Sequence, residues 1–116
     1  MNWTPLITVE QLDILSQDSQ RKPVMFLKHS TRCSISSAAL ARLERQEEAL
    51  EAVCQPVYLD LLAYRPISNA LAERYQIQHE SPQVLLISGG KVIWHGSHME
   101  IQPSEILDAC RDAASI

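Results

Sequence analysis

Val24-Met25-Phe26-Leu27-Lys28-His29-Ser30-Thr31-Arg32-Cys33-Ser34-Ile35-Ser36 joins an apolar run to the start of a long helical pattern, with a cysteine at the join. Val24 to Leu27, preceded by Pro23, read as a short buried strand covered on both faces, as in a parallel sheet. From Ser34 to about Val53 the pattern is helical. Ile35, Ala38, Ala39, Leu43 and Leu50 mark the apolar side, and Arg42, Glu44, Arg45, Glu47, Glu48 and Glu51 lie mostly on the wet side. A helix N-terminus presents backbone N–H groups without intrahelical acceptors and the positive end of the dipole. Lys28, His29 and Arg32 add positive charge nearby. Those conditions make a cysteine nucleophilic at neutral pH. Ser36 stands where a dithiol motif would carry its second cysteine, so the expectation is one working sulfur, Cys33.

The remaining elements follow from periodicity and turn residues. Thr8 to Ser19 places Val9, Leu12 and Leu15 at helical spacing, with Thr8 as the N-cap. Pro56 to Leu61 is a second strand. Pro66 suits the first turn of a helix running to about Tyr75. Ser81-Pro82 opens a third strand, Gln83 to Ile87. Gly89-Gly90 signals a two-residue hairpin into a fourth, Lys91 to His95. Pro103 starts a last helix with Ile106, Leu107 and Cys110 inward. The order is α-β-α-β-α-β-β-α. Right-handed crossovers make the first strands parallel, and the hairpin adds an antiparallel one. The expected architecture is an α/β domain over residues 1–116, with a mixed four-stranded sheet and helices on both faces.

Bulk properties exclude several partners. A chain of 116 residues is one ordinary domain. Its net charge of −4 and lack of a basic stripe argue against a nucleic-acid backbone. No apolar run approaches the roughly 20 residues of a membrane span. Met1-Asn2-Trp3-Thr4-Pro5 lacks the basic and apolar segments of a signal peptide, which points to the cytosol. Thiols are kept reduced there, so the three cysteines are not read as a structural disulfide set.

Three local features, Thr31 to Ser36, Ser81-Pro82-Gln83 and Gly89-Gly90-Lys91-Val92, resemble the thioredoxin fold, in which the proline before the third strand is cis and lies beside the active cysteine. By position that proline is Pro82. More narrowly, Lys28 to Ser36, Tyr58-Leu59-Asp60-Leu61 with Arg65, and Ser81 to Leu85 resemble the YtxJ-type monothiol bacilliredoxins. That family removes bacillithiol, a cytosolic small thiol, from mixed disulfides on proteins. Some members carry proline directly after the active cysteine, where this chain has Ser34. The resemblance implies a thiol–disulfide oxidoreductase working through Cys33 with no bound cofactor. Bacillithiol or a similar thiol would be the co-substrate, S-thiolated proteins the clients, and a second thiol or a separate reductase would complete the cycle.

Other residues carry two readings each. Arg32 either tunes Cys33 or is a solvated charge. Thr31 either caps the helix or hydrogen-bonds the sulfur. Ser36 either donates to the sulfur or faces water. Ser81, Pro82 and Gln83 offer substrate contacts, chiefly through the backbone, and Ser97 or His98 would line the same groove. His79, His95 and His98 lack a ligand spacing, so no metal is expected. Cys54 and Cys110 read as core residues. A helix of roughly 30 Å separates Cys54 from Cys33, too far for a disulfide. Two other functions compete: a non-catalytic adaptor or holdase, and an iron–sulfur carrier. The carrier's relatives place Gly-Phe after the cysteine, where Ser34-Ile35 stands here.

Overall fold

A computed structural model describes residues 1–114. Five strands are present: β1 (Thr4–Pro5), β2 (Val24–His29), β3 (Gln55–Asp60), β4 (Gln83–Ser88) and β5 (Lys91–Ser97). The helices are α1 (Gln11–Asp18), α2 (Ser34–Glu44), α3 (Glu47–Val53), α4 (Arg65–Tyr75) and α5 (Pro103–Ala114), with a 3-10 turn at His98–Glu100. The sheet order is β1-β3-β2-β4-β5; β1 and β2 run parallel to β3, and β4 is antiparallel to β2 and β5. The sheet thus has one strand more than the four expected. Thr4–Pro5 is too short to show a period, and it is read as a strand only because it lies beside Val57 and Tyr58. Among the described residues no helix is long and apolar enough to cross a membrane.

Both faces of β2 are covered, and all six of its residues are buried. Val24 and Phe26 meet Leu12 and Leu15 of α1 and Ile67 and Leu71 of α4 on one face. Met25 and Leu27 meet Ala39 and Leu43 of α2, Leu50 of α3 and Ile106 of α5 on the other. Each such fully buried side chain contributes about 1.5–3 kcal/mol of transfer free energy, which makes this strand the centre of the fold.

Three helical expectations change. The single helix over 34–53 is two: the Gln46 N–H bonds the Leu43 carbonyl at 3.0 Å, a tighter turn that ends α2 before α3 begins. The inner side of α2 is Ser36, Ala39 and Leu43, while Ile35 is 52% exposed and Ala38 is exposed too. Burying the Ser36 hydroxyl rotates α2 and turns Ile35 outward. The first helix starts at Gln11, not Thr8; Thr8 lies before it, exchanging hydrogen bonds with the Gln11 side chain and backbone, and Val9 is half exposed.

Turn chemistry matches the sequence. Gly89 and Gly90 take φ of +60° and +76°, the left-handed conformation a tight hairpin requires. Gly96 in β5 meets a different demand, close approach: a Cβ there would stand 2.7 Å from the Trp94 ring and 3.3 Å from Glu100 Cβ. Gly96→Ala is expected to destabilise the domain by about 1–3 kcal/mol in a denaturant titration, because the indole must move off the core it covers. A midpoint equal to that of the parent chain would contradict this packing.

Candidate active site

Cys33 is the N-cap of α2, with extended backbone (φ −112°, ψ 121°) and a partly exposed side chain. Its carbonyl accepts the first intrahelical bond from the Ser37 N–H at 3.0 Å, and its own N–H donates to the Ser30 carbonyl at 3.2 Å. The N–H groups of the first turn therefore surround it without intrahelical acceptors. Thr31 is exposed and outside the cap position, so the reading of Thr31 as the cap is corrected: the cysteine itself is the N-cap, and no side chain caps the helix there.

One buried hydroxyl anchors this loop to the strand. Ser36 Oγ accepts the Ser30 N–H at 3.0 Å and lies 2.7 Å from His29 Nδ1. Those bonds run to the end of β2 rather than toward the sulfur. His29 is buried beside Ser36, and its ring lies 5.5 Å from that of Tyr58. Burial lowers its pKa from 6.5, so the imidazole is neutral at pH 7.

Lys28 is not a cation at the mouth of the site. Its side chain is fully buried on the opposite face of β2, with Nζ 3.2 Å from His79 Nδ1, and His79 Nδ1 lies 3.3 Å from Ser68 Oγ. Burial without a carboxylate partner pushes the Lys28 pKa down to about 8. Burial, with Lys28 next in effect, also lowers that of His79. Of the three cations expected around Cys33, only Arg32 is exposed. Pattern reasoning missed this Lys28–His79–Ser68 cluster because a charged residue ending an apolar strand ordinarily points into water.

The loop before β4 carries the second half of the site. Ser81–Pro82 is cis. Gln83 pairs with Lys28 across β2 and β4, so Pro82 lies beside the end of β2 from which the Cys33 loop springs. Gln83 Nε2 donates to the Gln78 carbonyl at 3.0 Å, while Gln83 Oε1 and Ser81 Oγ are buried with no partner among the described residues. His98, at φ +55°, reaches this loop through its backbone: its N–H donates to the Pro82 carbonyl at 3.1 Å, and its side chain is exposed. Ser97 is buried and closes a capping box with Glu100. Arg42, read from sequence as a wet-side charge, donates Nε to the Ile101 carbonyl and Nη2 to the His98 carbonyl, each at 2.9 Å. The path α2, 98–101 turn, Pro82 thus fixes the two halves of the site. Among the described residues no group of three or more His, Cys, Asp or Glu side chains is placed to hold a metal ion.

A cysteine at a helix start, a cis-proline opening the strand that pairs with the preceding one, and a β1-β3-β2-β4-β5 sheet define a protein of the thioredoxin fold. A solved protein described as having a thioredoxin fold is 28% identical, covers 90% of each chain and has a TM-score of 0.79. Chloroplastic thioredoxin z shares 17% identity over 100% of this chain and 97% of its own, at a TM-score of 0.74. Spinach chloroplast thioredoxin f in its short form shares 17% over 96% and 92%, at 0.69. Within that fold, the family model of monothiol bacilliredoxin BrxC matches residues 4–106, and the chain belongs to that family. Its role is in thiol redox chemistry.

Two substitutions probe this geometry. Ser36→Ala removes the shared partner of Ser30 N–H and His29 and is expected to cost about 1–3 kcal/mol of unfolding free energy, read by chemical denaturation. Lys28 controls a pH dependence. Its folded pKa lies below its unfolded value of 10.5, so between pH 8 and 10.5 the unfolded chain binds more protons and stability rises with pH. The rise should be on the order of 2–3 kcal/mol. Lys28→Met should flatten it; an unchanged pH profile in that variant would show that the amine is not the cause.

Proposed function

We propose that the protein removes a small thiol, bacillithiol by family, from mixed disulfides on client proteins in the cytosol. The observation that carries this reading is a single accessible sulfur at the start of α2, with the other two cysteines buried elsewhere. The Cys33 thiolate attacks the small-thiol sulfur of client–S–S–R. A new Cys33–S–S–R bond forms, the client S–S bond breaks, and the client leaves as its thiolate. Ser36 cannot resolve the adduct, because a hydroxyl does not displace a disulfide sulfur and its oxygen is already engaged. A second small thiol or a separate reductase then attacks the Cys33 adduct and restores the thiolate. No bound cofactor takes part.

The supporting surroundings have distinct tasks. First-turn N–H groups and the helix dipole favour a negative sulfur. Arg32 is the exposed cation beside it, and Thr31 offers an exposed hydroxyl on the same loop. An extended client segment would pair with the Ser81 backbone, as in edge-strand recognition, because the Pro82 carbonyl takes the His98 N–H and Gln83 is paired on both sides within the sheet. Ile35, 52% exposed in the first turn of α2, offers apolar contact next to Cys33. His98 sits at the rim.

A model client carrying bacillithiol on its one cysteine provides the test. Mass spectrometry should show a single small-thiol adduct on Cys33 of the wild-type chain and free thiol on the client. Cys33→Ser should lower client release by at least about 10³-fold, since the nucleophile itself is gone. Release at the wild-type rate by that variant would remove the proposal. A chain that stabilises clients against aggregation equally well with and without Cys33 would instead favour the adaptor reading.

A further inference from the structure

Cys54, the C-cap of α3, and Cys110 of α5 lie in the same buried cluster where those helices pack. The two thiols are close enough that each perturbs the other's ionisation. Cys54 is fully buried, and its thiol also lies 3.2 Å from the Leu50 carbonyl. Cys110 is 3% exposed and lines a cavity of about 550 Å³, with Lys22, Val53, Ser88 and Leu107 among its walls. Arg21, Lys22 and Arg111 bring positive charge to this cavity, and no acidic residue is among its described lining. Two of these cations also have acidic neighbours outside the lining: Arg21 pairs with Asp18 and Arg111 with Asp108. The cavity adjoins Pro23 and Ser88, at the end of β2 and β4 away from Cys33. A six-residue strand, roughly 20 Å, separates the two sites.

We propose that Cys54 and Cys110 form a second, dithiol redox centre that reduces an anionic low-molecular-weight disulfide admitted through this cavity. Cys110, the sulfur that lines the cavity, attacks one sulfur of R–S–S–R and releases one RS⁻. Cys54 then attacks Cys110 Sγ, displaces the second RS⁻ and closes a Cys54–Cys110 disulfide. The two protein thiols give up two electrons and two protons, and the small disulfide takes them up as two RSH. Access sets the order: Cys110 lines the cavity, whereas Cys54 is fully buried with its S–H on the Leu50 carbonyl, and the neighbouring Cys110 and burial raise its pKa. Cys110 is thus the attacking sulfur and Cys54 the resolving one, and Cys33 takes no part.

The test uses the folded Cys33→Ser chain, so its outcome is independent of the exchange proposed for Cys33. Oxidised glutathione is the anionic probe and cystamine the cationic one. With oxidised glutathione, the intact mass should fall by that of two hydrogens, peptide mapping should link Cys54 to Cys110, and two equivalents of glutathione should appear. Adding Cys54→Ala should stop the reaction at one glutathione adduct on Cys110. Adding Cys110→Ala in place of Cys54→Ala should give neither adduct nor link. Oxidised glutathione should react at least about tenfold faster than cystamine at low salt. No mass loss under native conditions, a stable adduct on Cys110 despite an intact Cys54, disulfide-linked dimers, or faster reaction with cystamine would each overturn the proposal.

Discussion

The bond between the Ser36 hydroxyl and the end of β2 is the constraint on which the site depends. A helix that follows a buried strand can start at several rotations about its axis. Here the Ser36 oxygen takes the Ser30 N–H and meets His29 Nδ1, and both are buried. A buried polar group left unpaired costs about 1–3 kcal/mol, so this pairing selects one rotation. That rotation places Ala39 and Leu43 in the core, exposes Ile35, and leaves Cys33 at the cap position with its side chain partly open to water. The Cys33 sulfur is presented to water because a serine three residues on is held inside.

The opposite face of the same strand carries a second polar commitment. Lys28 is buried against His79, which belongs to the segment leading to Pro82. Arg42 ties α2 to the 98–101 turn, and the His98 N–H holds the Pro82 carbonyl. The cysteine loop and the proline loop are therefore fastened through both faces of the sheet. The chemistry proposed for Cys33 needs this, because a disulfide substrate must meet the sulfur in line with the bond that breaks.

Much of the fold was legible because its signals are local. Val24 to Leu27, Gln83 to Ile87, Gly89-Gly90 and Pro103 each announce an element through a short run or a residue with restricted backbone geometry. The place of Cys33 at the start of the helix was legible for the same reason, but its cap position was not, because Thr31 is the better capping residue by type and only the fold set the helix to begin at Ser34. Thr4–Pro5 was not legible, because two residues have no period and become a strand only by pairing. Ile35 was misplaced because helical spacing admits neighbouring phases, and a single hydroxyl decided between them. Lys28 and Arg42 look solvent-bound by residue type; their partners lie 51 residues away at His79, and 56 and 59 away at His98 and Ile101.

The amino-acid order alone determined the alternation of strands and helices, the hairpin and the place of the one accessible cysteine, because each depends on interactions within a few residues. Tertiary structure alone decided which face of α2 is inward, that a lysine is buried beside a histidine, and that Cys54 and Cys110 share one buried cluster. Those outcomes depend on burial, which removes water as a partner and makes a distant hydrogen bond or contact the lower-energy choice. No local pattern records which distant residue that partner is.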